Sequence, residues 1–244
     1  RLVEPHRGNI LYQGQDLTSL NPNELRPFRR QMQMIFQDPF ASLNPRMTVG
    51  ETIAEPMVVH GITDKNGASE KSVEILKKVG LTADYASRYP HELSGGQRQR
   101  IGIARALAHE PNLIIADEAV SALDVSIQAQ VVNLMMELQE EFGLSYLFIS
   151  HDMAVIERVC HRVAVMYLGE IVELGTRGQV FENPKHPYTK KLMKAVPIAD
   201  PKLRKKELNL MTDEIPSLVK PIGYEPEKID LIKIEEGHFI KPYN

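Results

Sequence analysis

Four short stretches carry residue types and spacings that can do chemistry. In Leu93-Ser94-Gly95-Gly96-Gln97-Arg98-Gln99-Arg100 a hydroxyl and two glycines precede a helical pattern. Free backbone N–H groups and the positive end of the helix dipole favour an anion such as phosphate at that point. The glycines also let another surface come close to the backbone. The ordinary reading of the same residues is a well-capped helix after a turn. Leu113-Ile114-Ile115-Ala116-Asp117-Glu118 reads as a buried strand that ends in two carboxylates. One carboxylate can hold Mg²⁺, directly or through water, while its neighbour activates a water. An Asp-Glu pair after a strand also serves as a helix cap. Ser150-His151 closes the next strand pattern, where an imidazole can contact a phosphate oxygen or be purely structural. Gln37 follows a strand pattern ending at Phe36 and means little by itself.

The elements that must position these residues follow from periodicity. Asn9 to Gln13 reads as a strand between Gly8 and Gly14. Asn21-Pro22-Asn23-Glu24 is a helix start, with a capping asparagine, a proline at the first helical position and a returning glutamate. Met32 to Phe36 reads as a strand, which Pro39 cannot continue. Thr48 to Gly80 turns helical, with Val49, Ile53 and Met57 on one stripe. Ser94 caps a helix bearing Ile101, Ala104, Leu107 and Ala108. Ile127 to Phe142 is amphipathic, and Ser145 to Ser150 is a second buried strand. Strand, helix, strand with acidic or histidine residues at strand ends predicts an α/β parallel sheet, whose ligands lie beyond the carboxyl ends of the strands. A hairpin is expected over Val163–Tyr167 and Glu170–Leu174, joined at Leu168-Gly169, then short helices near Arg177–Phe181 and Tyr188–Ala195. Beyond Pro197 the composition shifts to lysine, arginine, glutamate and proline, which reads as a surface extension with a short strand at Leu231–Ile234.

Composition narrows the field. The 244 residues are 43% hydrophobic and 25% charged, as in an ordinary globular chain of one to two domains. No apolar run approaches the roughly 18 residues of a membrane span. The net charge of −3 gives no basic field for nucleic acid. The single cysteine, Cys160, excludes a disulfide framework and fits a reducing compartment. The chain opens with Arg1 and reaches a strand-like run within ten residues, as if in the middle of a domain.

In this order, the four stretches resemble the nucleotide-binding subunit of ATP-binding cassette (ABC) transporters. Leu93–Gln97 matches the family signature, Leu113–Glu118 the Walker B strand, Ser121-Ala122-Leu123-Asp124 the D-loop, Gln37 the Q-loop and His151 the switch histidine. The stretches Gln37–Thr48, Ala122–Ser126 and Asn183–Thr189 are similar to the oligopeptide/dipeptide importer branch. The resemblance implies an α/β, ABC-type P-loop ATPase core with an inserted helical subdomain at about 48–110. The cassette would occupy 1–182, with a C-terminal extension of the importer type over 183–244.

The family's P-loop, Gly-x-x-x-x-Gly-Lys-Ser/Thr, occurs nowhere in the 244 residues, so the resemblance implies a cassette truncated at its N-terminal edge. It also implies ATP and Mg²⁺ as cofactors. Glu118 and His151 would be catalytic. Asp117 and Gln37 would serve the metal, while Ser94, Gly95, Gly96, Gln97 and Asp124 with Gln37 would serve the nucleotide. Implied partners are a second ATPase subunit, two integral membrane permease subunits and an extracytoplasmic substrate-binding protein, with the chain peripheral on the cytoplasmic face of the cell membrane. The family usually has proline after the catalytic glutamate, and Ala119 stands there instead, which would loosen the turn that aims Glu118.

Two other functions compete. The chain could be a non-hydrolytic fragment, or a half-site donor whose signature completes a partner's ATP site. It could also be a DNA- or ribosome-associated ABC ATPase. A long coiled-coil arm does not fit in the step of 57 from Gln37 to Ser94, and a single signature with net charge −3 disfavours a translation factor.

Overall fold

In a computed structural model, residues 1–195 and 230–243 are described, and they divide into two compact units, Arg1–His151 and Asp152–Asn244. The Lys- and Arg-rich stretch after Pro197 lies outside the described residues.

The first unit opens with a small hairpin, β1 (Leu11–Tyr12) and β2 (Gln15–Asp16). Asn9 to Gln13 is therefore not one strand. Gln13 and Gly14 both take positive φ, 50° and 81°, and reverse the chain after Tyr12. Helix α1 (Pro22–Gln31) starts at the expected capping box, in which Asn21 accepts from the Glu24 N–H and Glu24 accepts from the Asn21 N–H. Strand β3 (Met32–Ile35) follows, and a single turn, α2 (Pro39–Ser42), comes after Gln37. The helical stretch from Thr48 is two helices, α3 (Val49–Val59) and α4 (Lys65–Lys78), separated by a turn at Gly61 with φ 65°. Two short 3₁₀ turns lead into α5 (Gly95–Leu107), then β4 (Leu113–Asp117), α6 (Val125–Phe142) and β5 (Ser145–Ile149).

The three longer strands form a parallel sheet in the order β3-β4-β5. Strand alternation sends Ile35, Ile114 and Ala116 to one face, and all three are buried. Helix α5 packs against β3, α6 and α3, and its Ile101, Ile103 and Ala104 are fully buried. Ile53, Leu76 and Val79 form the core of the helical region. Each large apolar side chain buried this way stabilises the fold by roughly 1.5–3 kcal/mol relative to exposure. Helix α5 thus touches both the sheet and α3.

The second unit begins with α7 (Met153–Val159), which sequence periodicity missed although Asp152 caps it by accepting from the Ala154 and Val155 N–H groups. Strands β6 (Arg162–Tyr167) and β7 (Glu170–Thr176) form the expected hairpin, turning at Leu168 and Gly169 with φ 51° and 83°. Helices α8 (Arg177–Glu182) and α9 (Pro187–Ala195) follow. The expected short strand near Leu231 is β8 (Ile232–Glu235), and it pairs with β9 (His238–Ile240), giving the antiparallel order β6-β7-β9-β8.

Candidate active site

The acidic pair is delivered by register. Asp117 on β4 lies opposite Ile149 on β5, so both strands end at one level. The Glu118 N–H donates to the Ile149 carbonyl at 2.9 Å, one residue beyond the strand. Glu118 has φ 47°, a left-handed conformation that costs a non-glycine residue about 1–2 kcal/mol. The turn is held without a proline: the Glu118 carbonyl accepts from the Ser121 N–H at 3.1 Å and from Ser121 Oγ at 2.9 Å. Ala119 and Val120 are buried beneath it. The loosening expected from Ala119 is thus countered by three hydrogen bonds, two of them from Ser121, a residue that sequence reasoning placed in a motif without giving it this task.

The Glu118 carboxylate receives one partner from each flanking strand. Gln37, two residues past β3, donates from Nε2 to Glu118 Oε2 at 2.8 Å. His151, two residues past β5, places Nδ1 3.4 Å from Glu118 Oε1. Three residues selected from sequence are therefore brought together at the carboxyl ends of three adjacent strands. Glu118 is 29% exposed and His151 72%, so the carboxylate is sheltered while the imidazole faces outward. That arrangement suits a base held in place by an amide and flanked by a group that can meet a ligand. Asp117 is half-buried, and strand alternation puts it on the side of Ile115 rather than of buried Ile114 and Ala116.

The oxygen-bearing side chains at these strand ends are few. Gln37 donates its side-chain N–H to Glu118, and Asp117 is the last residue of the strand that delivers Glu118. Mg²⁺ is commonly held by one or two carboxylates together with phosphate oxygens and water. Among the described residues no three His, Cys, Asp or Glu side chains are grouped as an all-protein metal site.

The Ser94–Gln97 segment is separate. Ser94 Oγ accepts from the Gln97 N–H at 3.3 Å, and Gln97 Oε1 accepts from the Ser94 N–H at 2.9 Å, the reciprocal cap expected from sequence. Gln97 Nε2 also donates to the Tyr85 hydroxyl at 2.8 Å, an anchor on a 3₁₀ turn that no spacing pattern announces. Ser94 and Gly95 are exposed. Gly96 is packed inward: a Cβ there would lie 2.5 Å from Ile127 Cγ2, on α6. Among the described residues no hydrogen bond or ion pair joins Ser94–Gln97 to Glu118. Asp124 sits at the N-terminus of α6 with no side-chain capping bond, next to Val125, which is 82% exposed.

Residues 1–121 match the family described as ABC transporter, and residues 172–223 match the oligopeptide/dipeptide transporter C-terminal region. The chain is similar to the glutathione import ATP-binding protein GsiA of Pectobacterium atrosepticum, with 57% identity over 98% of this chain and 38% of that protein. It is 54% identical to GsiA of Escherichia coli K12 over the same shares. The chain thus spans about two-fifths of the length of these curated relatives. Among solved structures it resembles the dimeric post-hydrolysis state of the ATP-binding cassette MJ0796 bound to ADP and Pi, with TM-score 0.64 and 30% identity over 72% of this chain and 76% of that one. It also resembles cbiO1 from Clostridium perfringens, with TM-score 0.67 and 25% identity over 75% and 71%.

Proposed function

This chain belongs to the ABC transporter family, and from that premise we propose that it is part of an ATP-hydrolysing subunit that energises the import of di- or oligopeptides across a membrane. The observation that carries the proposal is the Gln37–Glu118–His151 constellation at the strand ends. In it Glu118 accepts a proton from the water that attacks the terminal phosphate of ATP. Gln37 holds that carboxylate by its N–H. His151 meets the terminal phosphate, as its outward exposure permits. Asp117, through water, and Gln37 would hold Mg²⁺, which when bound neutralises phosphate charge. The loop that cradles the phosphates is not among these 244 residues, so this reading draws it from elsewhere in the working protein.

The exposed Ser94 and Gly95 support a contact made to the nucleotide of a second cassette, with Gln97 and Gly96 fixing the helix behind them. Asp124 would join the two sites across that dimer. The helical region between about 48 and 110 would dock on two permease subunits, and an extracytoplasmic binding protein would select cargo. We read 1–182 as the cassette and 183–244 as its extension. The GsiA relatives are named for glutathione import, which favours glutathione or a similar short peptide as cargo. Among the described residues no helix is long and apolar enough to cross a membrane. The chain would lie at the periphery of the transporter, on the cytoplasmic face of the membrane.

The test is reconstitution of the complete protein that carries this cassette, with its permeases, in vesicles. Peptide-loaded binding protein should raise ATP hydrolysis and drive peptide uptake together. Hydrolysis with no peptide uptake would sink the import reading, and no hydrolysis would sink the ATPase reading.

A further inference from the structure

A second polar site lies at the opposite end of the parallel sheet. Gln31 and Asn112 immediately precede β3 and β4 and are joined by the Asn112 N–H to Gln31 carbonyl bond at 2.9 Å, whereas Gln37 and Glu118 follow the same strands. Beside Gln31 is an open cleft of about 520 Å³, lined by Arg26, Arg30, Gln31, His60 and Glu110 among others.

Its charge balance is uneven. Arg26 and Arg30 stand one turn apart on α1 and share a face. Arg26 donates only to the Val59 carbonyl, at 3.3 Å, and among the described residues it has no carboxylate partner. Arg30 reaches the His109 carbonyl from Nε at 3.4 Å. Glu110 is the carboxylate of the cleft, and it is 3.5 Å from both Arg30 and Lys71, at the outer edge of hydrogen bonding. Arg30 and Lys71 therefore share one weakly engaged carboxylate while Arg26 has none among the described residues, and two guanidinium groups with five N–H donors each keep most of them free. The oxygen of the Gln31 carboxamide is buried there without a partner among the described residues. His60 lines the cleft, edge-on to His109 at 5.2 Å between ring centroids. Burial holds the His60 imidazole below its ordinary pKa, and the charges of Arg26 and Arg30 press it further the same way.

We propose that this cleft binds a small oxyanion, a phosphate or carboxylate group, on the guanidinium groups of Arg26 and Arg30. The planar fork of arginine matches both groups in two-point contacts. A bound anion would supply the missing negative charge, and it would tie α1 to the end of α3, where Val59 and His60 lie. The site is independent of the nucleotide chemistry at the other strand ends and does not rest on it.

The test uses the whole chain with ¹³C-labelled histidine, titrated with inorganic phosphate and separately with succinate at constant ionic strength. One or both anions should give a saturable shift of the His60 resonance and raise its pKa by about one pH unit, as an anion within a few ångströms does. Saturation by phosphate alone or by succinate alone identifies the group the cleft takes. Arg26→Gln with Arg30→Gln should abolish saturation. If that pair fails to fold, Arg26→Lys with Arg30→Lys keeps the charges and should weaken binding by losing the fork. Non-saturating shifts with both anions, or saturation unchanged in the variants, would overturn the proposal.

Discussion

Gln37 Nε2 lies 2.8 Å from Glu118 Oε2, across 81 positions of sequence. The contact exists because β3 and β4 pair in parallel with Ile35 opposite Ala116, so the residues that follow each strand emerge side by side. The Gln37 amide fixes the carboxylate by one hydrogen bond. It also links α2 and the helical region that follows to the group proposed to activate water, so displacement of one would be felt by the other.

The two adjacent glycines of the signature should behave differently. A Cβ at Gly96 meets Ile127 Cγ2 at 2.5 Å, and a β-branched side chain has little freedom to move aside. Gly96→Ala should cost about 1–3 kcal/mol in a thermal or urea melt, and Ile127→Ala in that background should recover much of it. At Gly95 the nearest atom is Leu123 Cδ2 at 3.7 Å, an ordinary contact, so Gly95→Ala should melt within about 0.5 kcal/mol of the parent. Equal melts for the two variants would contradict this account of the packing.

Sequence exposed the chemistry-bearing residues better than their partners. The caps at Asn21 and Ser94, the apolar run of β4 and the hairpin at Leu168-Gly169 are local features, written within a few residues of one another. What escaped depends on distant chain. Tyr85 meets Gln97 across two 3₁₀ turns, and Ser121 anchors Glu118 only because the backbone there turns left-handed. Strand β9 is three residues long, too short for any period, and it is recognisable only from its pairing with β7.

The same long-range pairing creates a fully buried ion site. Glu173 on β7 accepts from the backbone N–H groups of Lys185 and His186, each at 2.9 Å, and lies 2.8 Å from His238 Nε2 on β9. Burial pushes its pKa up, but the bonds from those N–H groups and His238 outweigh it and hold the carboxyl below its ordinary 4.5. A carboxylate lowered by folding contributes stability above its unfolded pKa and loses it as pH falls through the folded value. Urea melts should therefore weaken below about pH 4.5. Glu173→Gln should lose about 3–5 kcal/mol at neutral pH and show a shallower acid limb. Parallel pH profiles for the two proteins would rule out this role.

Tyr146 tests the opposite case, a buried polar atom without a partner. Its hydroxyl is enclosed with no hydrogen bond among the described residues, and burial pushes the phenol well above its ordinary pKa. An unsatisfied buried hydroxyl costs about 1–3 kcal/mol, so Tyr146→Phe should raise stability by about 1 kcal/mol. A loss of similar size, measured by urea denaturation, would show that the hydroxyl is bonded in solution.

The most direct test of the proposed chemistry is Glu118→Gln in the complete protein that carries this cassette, measured as ATP turnover alongside ATP binding. The amide keeps its acceptor for Gln37 but can neither hold the negative charge nor take a proton from water. Turnover should fall by about 10²–10⁴-fold while ATP binding persists. Turnover within a few-fold of the parent would contradict Glu118 as the base and the account built on it.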